Sequence, residues 1–138
     1  MLKATLFTDG GARGNPGPSG IGFVLTSEGR EPIHIGAYIG ETTNNQAEYQ
    51  ALYGGLMMAR KEGVTDIDCF LDSELVVKQL NGFYRLKNAD LRPWFDKIVA
   101  LMKQFNHISF SHIPREKNQQ ADTLVNDAID AEIKKPHA

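Results

Sequence analysis

Asn44-Asn-Gln-Ala-Glu-Tyr-Gln-Ala-Leu-Tyr-Gly-Gly-Leu-Met-Met-Ala-Arg-Lys-Glu62, followed by Gly63 and then Val64-Thr-Asp-Ile-Asp-Cys-Phe-Leu71-Asp72, changes period once, and the change sets the architecture. In the first part Ala47, Ala51, Gly55 and Ala59 recur every four residues beside a second row of Leu52 and Leu56. This is the period of a helix, and its narrow small-residue stripe lets it lie close against a sheet. Gly63 is a good helix stop. The apolar run that follows predicts a strand ending at Asp72. A helix leading back into a strand is most simply a parallel crossover.

Working outward, residues 2–9 alternate, with Leu2, Ala4 and Leu6 on one face and Thr5 and Phe7 on the other, which predicts a strand covered on both faces and ending at Asp9. Gly10 to Gly20 holds five glycines and two prolines in eleven residues and reads as a loop. Residues 21–27 and 33–39 read as strands joined through Glu28-Gly-Arg-Glu-Pro32, a hairpin connection. Beyond Asp72, the pattern predicts helices over 73–80 and 90–105, a strand over 108–113, a basic loop over 114–118 and a helix from Gln119 to Ile133. Trp94, at helical spacing with Leu91, Phe95 and Ile98, reads as core rather than as a stacking platform. The order βββαβααβα implies an α/β fold with a mixed five-stranded sheet, three antiparallel strands and two parallel additions, and helices packed on it. One domain over 1–133 is expected, with residues 134–138 a fraying tail.

The 138 residues carry a net charge of −2, which alone argues against a polyanionic partner. Its distribution matters more: residues 1–84 net −4, residues 85–117 net +4 and residues 118–138 net −2. The middle block, with Arg85, Lys87, Arg92, Lys97, Lys103, Arg115 and Lys117, is a modest basic patch or a solvated surface. Cys69 is a lone cysteine inside an apolar run and reads as an inert buried thiol, so neither a disulfide nor a zinc site is expected. No leader of signal type precedes the first strand, and a soluble, cytoplasmic protein is expected.

Four acids fall where strands end or helices begin. Asp9 and Asp72 close their strands; each also has an ordinary reading, as turn residue and as helix N-cap. Glu48 continues the inward row of Leu52 and Leu56, yet Asn45 as cap and Glu48 at the third helical position would equally form a capping box. Asp122 lies in the first turn of the last helix, where the dipole favours it. In an open sheet with crossover helices such ends gather at one edge. Carboxylates packed there repel by about 1 kcal/mol per close pair even at water's dielectric. Divalent cations relieve that cost, and oxygen-only donors point to Mg²⁺ or Mn²⁺.

Four strings, Thr8-Asp-Gly-Gly-Ala-Arg-Gly-Asn-Pro-Gly-Pro-Ser-Gly-Ile-Gly22, Thr43-Asn-Asn-Gln-Ala-Glu-Tyr-Gln-Ala-Leu52, Leu71-Asp-Ser-Glu-Leu-Val-Val-Lys-Gln-Leu-Asn-Gly82 and Pro114-Arg-Glu-Lys-Asn-Gln-Gln-Ala-Asp122, stand in the order found in the type 1 ribonuclease H family. The chain resembles that family from about residue 4 to 128. The resemblance implies a ribonuclease H-like fold and an endonuclease that hydrolyses the RNA strand of an RNA–DNA hybrid, leaving 3′-hydroxyl and 5′-phosphate ends. It implies two Mg²⁺ ions, with Asp9 bridging both, Glu48 and Asp72 completing one site and Asp122 holding the other. One ion would activate the nucleophile and the other stabilise the leaving oxygen.

By the same resemblance, Asn15, Asn44 and Asn45 would contact the hybrid in its minor groove, where the 2′-hydroxyl is displayed, and Glu48 would also reach that hydroxyl. Thr43 and Asn88 would line a pocket for a DNA-strand phosphate, with Lys87 and Arg85 nearby. Three departures stand out. The helix over 73–80 leads to the next without the basic handle that some members insert, so weaker hybrid binding is expected. Glu74 stands where some relatives have glutamine. For the residue that assists product release, Arg115 is the first candidate and His112 the substitute. Side activity on double-stranded RNA is expected from its A-like shape, and a monomer with no membrane or protein partner is expected. A DNA nuclease on the same fold and a non-catalytic nucleic-acid-binding module are the competing readings.

Overall fold

A computed structural model describes residues 1–135. Five strands form one sheet: β1 (Lys3–Ala12), β2 (Gly17–Ser27), β3 (Ile33–Thr42), β4 (Asp66–Leu71) and β5 (His107–His112), in the order β3-β2-β1-β4-β5. The first three are antiparallel neighbours, and β4 and β5 add in parallel, as the crossover predicts. The helices are α1 (Asn44–Lys61), α2 (Glu74–Leu80), α3 (Arg92–Met102) and α4 (Gln119–Ile133).

Strand alternation sends Leu6, Phe23, Leu25, Ile67, Cys69 and Leu71 to one face, where they meet Leu52, Leu56 and Ala59 of α1 and Ile98 and Leu101 of α3 in a single buried core. Tyr49, fully buried on α1, donates its phenol to Gln79 of α2. Cys69 is buried there and burial pushes its thiol far up, in line with an inert thiol. Trp94 packs edge-on against Tyr53 at 5.7 Å, with the Lys97 ammonium 4.6 Å above its ring. Helix α4 lies across the opposite face, over β2 and β3. On that same face, beyond α4, Phe7 and Phe70 stack at 4.9 Å across β1 and β4.

The glycine-rich stretch is where the structure departs most from the sequence reading. Gly10 to Gly20 is not a loop: β1 runs on through Asp9 to Ala12, β2 begins at Gly17, and only residues 13–16 turn. Asp9 therefore sits inside a strand, paired with Gly22. The glycines are present because helices touch the sheet there. A Cβ on Gly10 would lie 2.2 Å from the Ala47 carbonyl oxygen of α1, and one on Gly22 would lie 2.5 Å from the Ala121 carbonyl oxygen of α4. Gly63 does act as the predicted stop, with φ of 82° and open space around it.

Smaller corrections have local causes. The strand after Gly63 begins at Asp66 rather than Val64, and the helix expected over 90–105 is a 3-10 turn at Ala89–Leu91 followed by α3, with Pro93 in its first turn where no N–H is needed. In the tail, Lys135 pairs with Glu132 at 2.9 Å; the rest of the expected tail, 136–138, lies outside the described residues. Among the described residues no helix is long and apolar enough to cross a membrane.

Candidate active site

The register explains how the acids meet. Parallel pairing of β1 with β4 ends at Thr8 opposite Leu71. Beyond that point β4 departs and its chain turns into α2, capped by Ser73, whose side chain accepts from the Val76 N–H. Asp72 is left in the turn, beside Asp9, which continues along β1. Glu48 comes down from the first turns of α1, and Asp122 from the first turn of α4. These four and Arg115 line one cleft of about 370 Å³ with Gly10, Arg13, Asn44 and Asn126.

Carboxylate oxygens of Asp9, Glu48 and Asp72 all lie within 4.8 Å of one another. Asp9 and Glu48 are 8% and 5% exposed. The capping-box reading of Glu48 does not hold. Thr43, not Asn45, caps α1 by accepting from the Gln46 N–H, while Glu48 reaches the sheet and accepts from the Gly10 N–H at 2.8 Å. Burial, with the neighbouring acids, raises the Asp9 carboxyl from 3.8 to about 7 and raises Glu48 well above its ordinary range. Burial also raises Asp72, while a hydrogen bond from Asn118 works against it. Glu48, Asp72 and Asp122 all act on the Asp9 carboxyl. Asp122 stands slightly apart, its carboxylate 3.6 Å from the Arg115 guanidinium.

This donor set fits a hard divalent cation: clustered oxygens, no soft ligand, and charges that burial destabilises until a counter-charge arrives. A pH signature follows. Because the folded Asp9 carboxyl titrates near 7 and the unfolded one near 3.8, the site's contribution to stability is fully present below about pH 4 and is lost as pH rises through 7. Divalent binding removes that deficit and displaces protons. The gain in Tm on adding Mg²⁺ is therefore expected to be larger at pH 8 than at pH 5.5 in thermal melts. An equal gain at both pH values would show that the ion binds elsewhere.

The hairpin tip and α1 are pinned together. Asn15 Oδ1 accepts from the Asn44 N–H at 3.0 Å, and Asn44 Oδ1 accepts from the Ala12 N–H at 3.2 Å. Arg13 ties the same tip to α4 through Asp130 at 2.6 Å. Asn118, which the sequence reading passed over, is 2% exposed and donates to both the Thr8 carbonyl and Asp72. The sequence places it only at the end of the basic loop; it precedes α4, but its side chain does not cap that helix.

Comparison with known proteins shows the kinship. The family model described as reverse transcriptase-like matches residues 7–128. A ribonuclease H of Pseudomonas putida is 34% identical over 139 residues, spanning 91% of this chain and 92% of that protein. The chain belongs to the ribonuclease H family. A bifunctional protein, Rv2228c of Mycobacterium tuberculosis, is 41% identical over 132 residues, which cover 94% of this chain but 36% of that longer protein. This chain thus spans about a third of the length of such mycobacterial relatives. Among solved ribonuclease H structures, LC11-RNase H1 in complex with RNA/DNA hybrid superimposes with a TM-score of 0.89 at 45% identity, over 95% of this chain and 99% of that one.

Other positions singled out by the ribonuclease H resemblance lie at varying distances from the cleft. Asn44 lines it; Asn15 and half-buried Asn45 flank it on the hairpin tip and the start of α1. Thr43 and Asn88 both act as caps, Asn88 accepting from the Asp90 N–H at 2.8 Å. Lys87 and Arg85 are exposed on the segment between α2 and α3, where a ribonuclease H handle would be inserted. Glu74 is exposed and pairs with Lys78 at 2.6 Å. His112 is the last residue of β5, opposite Leu71, and is not among the residues lining the cleft, whereas Arg115 is.

Proposed function

We propose that the chain hydrolyses the RNA strand of RNA–DNA hybrids internally, leaving 3′-hydroxyl and 5′-phosphate ends, with two Mg²⁺ ions held by Asp9, Glu48, Asp72 and Asp122. The observation that carries this reading is the three-carboxylate cluster with oxygens within 4.8 Å, built from β1, α1 and the end of β4, with Asp122 beside it. Contact with all three other acids supports Asp9 as the shared ligand. Bound ions would supply an activated water and charge neutralisation at the scissile phosphate; Mn²⁺ suits the same oxygens. The Gly10 N–H fixes Glu48 at 2.8 Å, so the ligand on α1 is set by the strand that carries Asp9.

The hybrid-bound relative supports the same substrate here. Asn15, Asn44 and Asn45, grouped where the hairpin tip meets α1, are the residues that read the ribose in this view, and Thr43, Lys87 and Asn88 hold the DNA strand. Double-stranded RNA is the side substrate, since it shares the wide minor groove that displays 2′-hydroxyls. The enzyme works as a monomer in the cytoplasm; one chain contributes every acid of the cleft.

Cleavage of a labelled hybrid, with DNA duplex, double-stranded RNA and single-stranded RNA as controls, tests the reading with and without Mg²⁺. Equal cutting of DNA duplex would favour a DNA nuclease, binding without cutting a passive module, and cutting in chelator would remove the metal from the mechanism. Arg115, 3.6 Å from Asp122 at the cleft edge, is the group that assists release of the product phosphate. Arg115→Ala is expected to lower kcat about tenfold, roughly 1.4 kcal/mol, with KM little changed. An unaltered kcat would transfer the role to His112.

A further inference from the structure

Asn118 is the most deeply buried amide near the cleft, and its hydrogen bonding is lopsided. Its Nδ2 donates to the Thr8 carbonyl at 2.8 Å and to Asp72 Oδ2 at 3.1 Å. Both partners can only accept, so the nitrogen must face them, and flipping the amide would set oxygen against two oxygens. Its Oδ1 is then left buried without a partner among the described residues. An orphaned acceptor of this kind costs about 1–3 kcal/mol. A side chain placed only for packing would not carry that cost, because leucine has similar bulk and no orphan.

The two acceptors explain the placement. Thr8 is the last residue of β1 to pair with β4, and Asp72 is the first residue after β4 departs. Asn118 spans that fork and also starts α4, its carbonyl accepting from the Asp122 N–H at 3.1 Å. One residue therefore touches the strand carrying Asp9, the carboxylate of Asp72 and the helical turn carrying Asp122.

We propose that Asn118 is a positioning residue for the metal site: it holds the Asp72 carboxylate in the orientation that meets Asp9 and Glu48, so that the three-acid cluster is formed before any ion arrives. The inference rests on the metal reading above. Partners that orient a metal ligand from behind typically contribute about 10–100-fold in affinity or activity. Because Asn118 is buried and is not among the residues lining the cleft, it acts on ion binding and not on recognition of the hybrid.

The test is calorimetric titration of Mg²⁺ into the substrate-free protein, its Asn118→Ala and Asn118→Leu variants, and Asn81→Ala as comparator. Asn81 also donates a side-chain amide to a buried-strand carbonyl, that of Phe110 at 3.1 Å, away from the acids. The expected result is Mg²⁺ binding at least about tenfold weaker in the folded Asn118 variants and unchanged in Asn81→Ala. In cleavage assays the Asn118 variants should keep the KM for hybrid, lose kcat at low Mg²⁺ and regain it at high Mg²⁺. Affinity within twofold of the parent would overturn the role of Asn118 while leaving the metal site standing. Absence of Mg²⁺ binding by the parent would overturn the metal reading itself. Should both Asn118 variants fail to fold, the side-chain amide of Asn118 in ¹⁵N spectra of the parent decides the matter. It must shift as Mg²⁺ is added, and an unmoved signal sinks the proposal.

Discussion

Asp9→Asn is expected to reduce cleavage of a hybrid by at least about a thousandfold, a loss of roughly 4 kcal/mol in transition-state stabilisation, while making the metal-free protein more stable. The two effects share one cause. Asp9 is buried beside Glu48, Asp72 and Asp122, and its carboxyl is driven up to about 7. Holding that group ionised at neutral pH costs up to about 4 kcal/mol relative to an exposed aspartate. An amide of the same shape removes the cost and, with it, the ligand all the other acids face. A melt and a cleavage assay on the same preparation check the pair. Substantial residual activity would refute the shared-ligand role, and a lowered Tm would mean that Asp9 has a supporting part in the fold.

The second large effect is expected one residue further on. Gly10→Ala should destabilise the protein by about 3 kcal/mol or more, the upper range for forced overpacking, and lower Tm by roughly 10 °C. A Cβ there would lie 2.2 Å from the Ala47 carbonyl oxygen and 2.5 Å from the Glu48 nitrogen, both backbone atoms of α1. No rotamer relieves such a contact, so the helix must lift from the strand. Lifting α1 draws Glu48 away from Asp9 and breaks the 2.8 Å bond from the Gly10 N–H. Mg²⁺ affinity should fall with stability. Urea unfolding with and without Mg²⁺ measures both, and the change at Gly29, which has nothing within 4 Å, is the natural contrast despite its own backbone strain. A Gly10→Ala protein as stable as the parent would show that the contact is not what requires glycine.

The contrast between Gly63 and Gly10 marks what could be read in the chain and what could not. Gly63 follows a periodic helix, and its role as a stop is local, so the sequence carries it. Gly10 and Gly20 look like turn residues in any short window, yet they are glycine because a helix some forty or a hundred positions away presses on them. The same limit explains the capping box. Asn45 and Glu48 have the right spacing, but Thr43 takes the cap and a distant N–H claims Glu48. The succession of elements, the crossover and the bounds of α4 were legible because alternation and helical period are properties of consecutive residues. Asn118 was not, since its bonds to Thr8 and Asp72 span 110 and 46 positions.

The four acids, at positions 9, 48, 72 and 122, come from β1, α1, the turn after β4 and α4. The three clustered acids already span residues 9 to 72 and Asp122 lies fifty positions further on, so no local folding event can assemble the set. In the reading above the set of four is complete only with α4 on the sheet, since Asp122 is carried by that helix.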